Sequence, residues 1–525
     1  MFKKFLNSEI EILPWKGKVT IFEFVKEQVD THKKIIDETL PDEEELFKGE
    51  KIRFISGARD SLFGGLLTKN NQHKIINNLL KLVRQQAKYQ NNKTRRATYV
   101  KVMNDSLIDF IDPFLEVLRQ QEDIDLNNLY EEALWFIKNS AHRGAVKFGI
   151  ALLGIFNCER DKDVLITICK HEEFTLFTAV AIKNGTRQPN DNLFLLAKSV
   201  QGWGKISIVE RLEPSSQEIK DWLIEYGCEN SIMNEYLAYT CAIKGELHKV
   251  LIQKEISHEK YKGSGKIISA LICGGPAENI DDYKHANIVI KHFLLHSINH
   301  CRTIVDFVTI IEIGDFIDEE DGIWEERYKN GWSPQQRIDI RNMVDKIKNE
   351  DTWIEVILEE LHNSSNNLYI PLRAARSLNI DVWPILYEKL EQNPTEDSLY
   401  FELMRTADRS RVEQLVSFAE INLPFEQICT GPALEMGLGI EFKIHHCLDF
   451  IIQDLDRFEG VGLPLIEKSL NSPVIRNRNM ALNVLESWPV KHWRNSKCIK
   501  ILMELNKIEP DEEIRERVGL LLKKI

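Results

Sequence analysis

Three histidines fall four residues apart in KHFLLHSINHC, at His292, His296 and His300. On a helix, residues i and i+4 share a face, so either adjacent pair can chelate one metal ion, zinc above all. The third imidazole joins poorly. It stands about 12 Å along the axis from the first, and the face has turned by roughly 80°. His285 and Cys301 are near in sequence, and His445, His446 and Cys447 form a sparser second group. A polar helical stripe accounts for the triplet without a metal. Di-iron carboxylate proteins use two Glu-x-x-His motifs on inward-facing helices. This chain has Glu255 with His258 and Glu359 with His362. Fourteen histidines in a glutamate-rich chain produce such spacings by chance, and both pairs sit in polar surroundings near expected helix ends.

Phosphate-loop chemistry fails on the residues. GSGK, at 263–266, has the glycine–lysine step, but Lys260 stands where a first Walker glycine belongs and Ile267 replaces the magnesium-holding hydroxyl. GARDSLFGGLL, at 57–67, has glycines at the wrong intervals for a dinucleotide fingerprint. Its Arg59 and Asp60 lie between expected turns and are in place to serve a site; a turn held by that Arg–Asp pair is the plainer expectation. No G-x-S-x-G elbow occurs, and no cysteine has the surroundings of a thiolate–haem loop. The basic stretch NNKTRRATYVK (91–101) and the pair Arg476 and Arg478 are the candidate nucleic-acid contacts. The chain carries 68 basic against 81 acidic side chains, a net charge of -13, which argues against them.

The elements that position these residues are read from composition and periodicity. Hydrophobic residues make up 43% and charged residues 28% of the 525, the balance of a well-packed, water-soluble chain. The nine cysteines, at 158, 169, 228, 241, 273, 301, 429, 447 and 498, form no CxxC pair and suit reduced, buried thiols. MFKKFLNSEIEILPW has acidic residues where a signal peptide needs an apolar core. The most apolar run, FGIALLGIF at 148–156, is half the roughly 18 residues of a membrane span. The expected setting is cytoplasmic.

From about residue 100 the pattern is helix, short turn, helix. Leu129, Ala133, Leu134, Phe136 and Ile137 mark one apolar stripe, and Ala145, Phe148, Leu152 and Leu153 the next. Similar pairs are expected over 161–184, 191–212, 216–243, 352–378, 463–488 and 497–522. Repeated helix pairs without strand signals predict an all-α fold, a solenoid of degenerate repeats. In NSPVIRNRNMALNVLESWP (471–489) Pro473 suits a first helical turn, with Ala481, Leu482 and Leu485 inside and Arg476 and Arg478 stitching from the early turns. Two stretches break the pattern. Residues 1–95 mix helix and possible strand signals and read as a small N-terminal cap; 314–335 (GDFIDEEDGIWEERYKNGWSPQ) reads as an acidic, aromatic loop between arms 96–313 and 336–525. Trp324, Tyr328 and Trp332 in that loop are expected to pack back onto the repeats.

The proline start and early basic residue of 471–489 resemble the second helix of a HEAT repeat. Over much of its length the chain looks like bacterial HEAT-like helical-repeat proteins. The stretch GARDSLFGGLL, followed by RRATYVKVMNDSLIDFIDPFLEVLRQQ (95–121), resembles the group of them named limonene hydroxylase. That resemblance implies hydroxylation of limonene to carveol or perillyl alcohol with oxygen and NAD(P)H, and it carries over no catalytic residue. Such chemistry needs an oxygen-activating cofactor, and the residues spell no flavin or haem motif. The residues therefore favour a scaffold that binds a protein partner on a concave face. Monoterpene hydroxylation is the alternative, and a HEAT-like DNA-binding or repair enzyme a third.

Overall fold

The computed structural model describes residues 13–49, 53–62, 69–103, 107–363 and 368–524. Residues 1–12, 63–67 of GARDSLFGGLL, and 104–106 of the segment after it lie outside these. Among the described residues the chain is all-helical, with only an isolated bridge between Glu435 and Val474. No described helix is long and apolar enough to cross a membrane. The chain divides into two compact units, Met1–Glu350 and Asp351–Ile525.

In the first unit, alternate helices pack side by side. Arg143–Leu153 lies against Glu172–Gly185, which lies against Gly202–Arg211, followed in turn by Glu235–Lys244, His258–Cys273, Ile304–Ile317 and Pro334–Lys348. Shorter helices between them, such as Lys162–Cys169 and Pro189–Ala197, cover their flanks. Position in this row explains composition. Ile304–Ile317 is apolar on nearly every side and its start is set by a capping box, in which Thr303 and Asp306 satisfy each other's backbone N–H. A helix of that kind belongs in a core. The expected pairs are present, including Leu126–Asn139 with Arg143–Leu153. The N-terminal region forms helices, not strands, among its described residues. Position 95 falls inside the helix Asn92–Met103, which packs on Lys69–Tyr89 and Arg143–Leu153.

The expected acidic loop at 314–335 is a correction. Ile304–Ile317 runs into it, Asp321–Lys329 is a helix of its own, and Pro334 begins the next. Trp324 and Trp332 are buried in a cluster with Phe316, ring centroids 5.3–5.8 Å apart. Arg327 lies over Phe316 at 3.9 Å and is paired with Asp281 and Glu319. Apolar burial converts a stretch that reads as a loop into packed structure.

In the second unit Asp397–Leu403, Lys443–Ile452, Ile475–Ser487 and Glu512–Leu522 make a corresponding row. Pro473 precedes the N-cap Val474 and so stands outside the helix. Arg478 does not project. It is fully buried, its guanidinium doubly bonded to Glu509 at 2.7 Å and donating to the carbonyls of Ser472, Pro473 and Ala433. Arg476 is half exposed, 3.4 Å from Asp449. The stitch is real, and its buried member is Arg478.

The GSGK step lies inside the helix His258–Cys273. A Cβ on Gly263 would meet the Ile224 carbonyl oxygen at 2.0 Å, so this glycine lets two backbones approach. Gly263→Ala is expected to lower stability by about 1–3 kcal/mol in chemical denaturation; an unchanged curve would show that the helices part without cost.

Candidate functional site

Arg143 and Lys147 occupy successive turns of one helix face, in a helix buried on almost every side. Two cations in that position require anions, because an unpaired buried charge is prohibitive. The anions come from far along the chain. Lys147 Nζ contacts Asp60, in the short helix Ala58–Leu62, and Glu173 Oε1 at 2.6 Å, at the start of Glu172–Gly185. Arg143 donates from Nε and Nη2 to Asp42 at 3.1 and 2.9 Å, and its backbone N–H donates to the same carboxylate at 2.7 Å. Its guanidinium also reaches Glu43 and stands 3.8 Å from Glu173. The Gly57 N–H donates to Glu173 Oε2 at 3.1 Å. Asp42, Asp60, Arg143, Lys147 and Glu173 are all buried.

Burial works against charge on Glu173, yet Lys147 and Arg143 hold its carboxyl down to about 2. Burial also opposes charge on Lys147, and Glu173 and Asp60 outweigh it, so the ammonium titrates above its ordinary value. It is therefore no amine nucleophile. Its neighbours behave in the opposite sense. Burial pushes His171 down to about 4, so its imidazole is neutral; Nδ1 accepts from the Glu173 N–H as the helix N-cap, which leaves the proton on Nε2. Burial, with Glu38 nearby, raises Glu172 to about 7. Its carboxylate accepts from the Trp203 N–H at 3.0 Å and so caps the helix Gly202–Arg211 from a neighbouring element.

Above this cluster opens a cleft of about 600 Å³. Its walls are Ile111–Arg119, Glu172–Gly185 and Gly202–Arg211, with Ala58–Leu62 at one end. Ile111, Leu115, Phe177, Val180 and Ile206 make the interior apolar, and the exposed Asp112, Glu116, Arg119 and Glu210 make the edge charged. Asp60 lines both this cleft and a small cavity of about 40 Å³ shared with Arg143, Lys147 and Glu173. The arrangement offers an apolar seat on an immobilised polar floor. It fits binding better than nucleophilic attack.

No family model, curated protein or solved structure matches this chain.

The histidines read from spacing lie elsewhere. His296 is buried with Nε2 2.9 Å from the Leu251 carbonyl. His292 and His300 are half-buried, and His300 stacks on Tyr261 and lies 6.0 Å, ring to ring, from His258. The fold thus draws His258 toward His300, from two separate sequence sets. Among the described residues no group of three or more His, Cys, Asp or Glu side chains is placed to hold a metal. Glu255, His258, Glu359 and His362 are all exposed, and His362 Nδ1 lies 2.7 Å from the Leu358 carbonyl. Surface positions of this kind do not fit the inward-facing donor set of a di-iron site. His285 stacks on His248 at 4.0 Å. His445 lies 3.2 Å from both Ser472 and Asn477, His446 approaches Asp397, and the Cys447 thiol donates to the Lys443 carbonyl. Of the basic stretch at 91–101, Arg95 is bound to Glu132 at 2.6 Å and covers Trp135.

GARDSLFGGLL and the segment quoted with it, 95–121, both reach the cleft, the first through Asp60, Ser61 and Leu62 and the second through Ile111, Leu115 and Arg119. The turn is not held by its own Arg–Asp pair: Arg59 is exposed, and Asp60 is bound to Lys147. Sequence reasoning missed Lys147, Arg143 and Glu173. The available signal was a lysine inside an apolar run, RGAVKFGIALL, which needs a buried anion somewhere.

Lys147→Met leaves Asp60 without its cation and Glu173 with only the more distant Arg143, and is expected to cost about 3–5 kcal/mol, read from denaturant unfolding. Glu172 has its folded value raised from 4.5 to about 7, so its contribution to stability is present below about 4.5 and lost as pH rises through 7. Glu172→Gln is therefore expected to flatten the decline in stability between pH 4.5 and 7. A slope equal to that of the unaltered chain would refute the assignment.

Proposed function

We propose that this chain is a binding protein of HEAT-like solenoid architecture, whose first unit grips an amphipathic segment of a protein partner in the cleft above Asp60. The row of alternate helices, each packed on the next with shorter helices along the flank, supports the solenoid reading. The observation that carries the function is the cleft itself. An apolar interior is bordered by Asp112, Glu116, Arg119 and Glu210, so an occupant with an apolar face and polar flanks satisfies both parts. The charge cluster beneath fixes the Ala58–Leu62 wall, so little ordering is left to binding.

A second reading uses the same volume. The apolar lining accepts a monoterpene, as the resemblance to the limonene hydroxylase group implies; NAD(P)H and oxygen would then supply the redox chemistry. No residue of this chain is assigned a step in it.

Val180 is an exposed wall residue, so Val180→Arg alters the cleft without disturbing a core. A partner photo-crosslinked from the cleft-edge position 210 of the full-length protein, then purified and titrated, is expected to bind Val180→Arg at least tenfold more weakly. Equal affinity would overturn the assignment of the cleft. Limonene titrated against the fluorescence of Trp203, with Trp203→Phe as control, reads the second reading: saturable quenching lost in the variant would favour it over the first.

A further inference from the structure

The second unit carries a segment that the cleft does not involve. Residues 430–442, TGPALEMGLGIEF, connect the helix Phe425–Ile428 to the helix Lys443–Ile452 almost without regular structure. Leu434, Met436, Leu438 and Ile440 are 60%, 67%, 73% and 88% exposed. Four large apolar side chains within seven residues is a concentration that soluble surfaces seldom leave uncovered.

The segment is held in place by its backbone. The Gly431 N–H donates to the Asn471 carbonyl at 3.0 Å, and Arg478 Nη2 donates to the Ala433 carbonyl at 2.9 Å. The Ile475 N–H donates to the Glu435 carbonyl at 3.0 Å, and His446 Nε2 lies 2.9 Å from the Gly437 carbonyl. Gly437 has φ +69°, and a Cβ there would meet Val474 at 2.5 Å. Four anchors across seven residues present the apolar side chains outward on a fixed frame, which removes ordering cost from an association.

Charge selects the occupant. Between Arg411 and Lys443 stand Glu413, Glu420, Glu426, Glu435 and Glu441, and no lysine, arginine or histidine. Glu435, between Leu434 and Met436, and Glu441, just after Ile440, are exposed and have no ion pair among the described residues. An anionic bilayer surface repels such a segment. A second copy presenting the same ridge meets it with the same sign of charge. We infer that the 434–440 ridge is a docking site for a different protein, one bearing an apolar groove rimmed by lysine or arginine.

A photo-crosslinking amino acid placed at Leu438 of the full chain, with the exposed Lys500 as control position, identifies what covers the ridge in the source cell. The crosslinked protein is then purified and titrated directly. Binding at least tenfold weaker to Ile440→Glu, and weaker to the double variant Glu435→Lys/Glu441→Lys, with an affinity that falls as salt rises, is the expected result. Both variants are at exposed positions and are expected to unfold at the unaltered temperature; Val180→Arg, in the first unit, is expected to bind normally. The inference is overturned if crosslinks at 438 do not exceed those at 500. It is equally overturned if the captured protein binds every variant alike, or if the ridge variants change only light-scattering mass or adhesion to phosphatidylglycerol vesicles.

Discussion

The ammonium of Lys147 lies in the interior between three helices, and much of the first unit is arranged to neutralise it. Asp60 and Glu173 flank it, Arg143 lies one turn away with Asp42 and Glu43, and the Gly57 N–H closes the set. Apart from Arg143, on the same helix as Lys147, the partners come from three segments, at 42–43, 57–60 and 173. The charges thus fix where the N-terminal helices sit against Arg143–Leu153, since any displacement would leave a buried ion uncompensated. The cleft inherits its geometry from this constraint, because Asp60 belongs both to the ion cluster and to the cleft lining.

A comparable device occurs in the second unit at Arg478. There the guanidinium is buried with Glu509 and gathers carbonyls from the turn before its own helix and from the loop at Ala433. The two sites use the same physics for different ends. Lys147 and Arg143 hold a cleft wall; Arg478 holds a solvent-facing loop whose apolar side chains gain nothing from the unit they belong to. Arginine suits the second role because its planar fork serves a carboxylate and several carbonyls at once.

The helix pairs were legible because their signal is local. The apolar stripe of Leu129, Ala133, Phe136 and Ile137 and the break at Asn139 and Ser140 belong to one short stretch, and packing honours them. The 314–335 stretch was misleading for a related reason: its acids and glycines read as loop, while Trp324 and Trp332 decided its conformation by burial against Phe316. The chemistry read from spacing fared differently. His292, His296 and His300 do lie on one helix, but a metal site also needs ligands that other helices supply, and the Leu251 carbonyl and the Tyr261 ring meet these imidazoles instead.

By itself the sequence determined that the chain from about residue 100 is built of helices, and which faces of those helices are apolar, because hydrophobic periodicity acts within a few residues. It also showed that Lys147 stands in an apolar run and that residues 412–442 contain glutamates but no lysine, arginine or histidine. Only the tertiary structure decided that Lys147 meets Asp60 and Glu173, 87 and 26 residues away, that Asp60 borders a cleft, and that Leu434, Met436, Leu438 and Ile440 face outward. Pairing of buried charges and exposure of a loop depend on which distant segments the packed core brings into contact, and no local propensity encodes that choice.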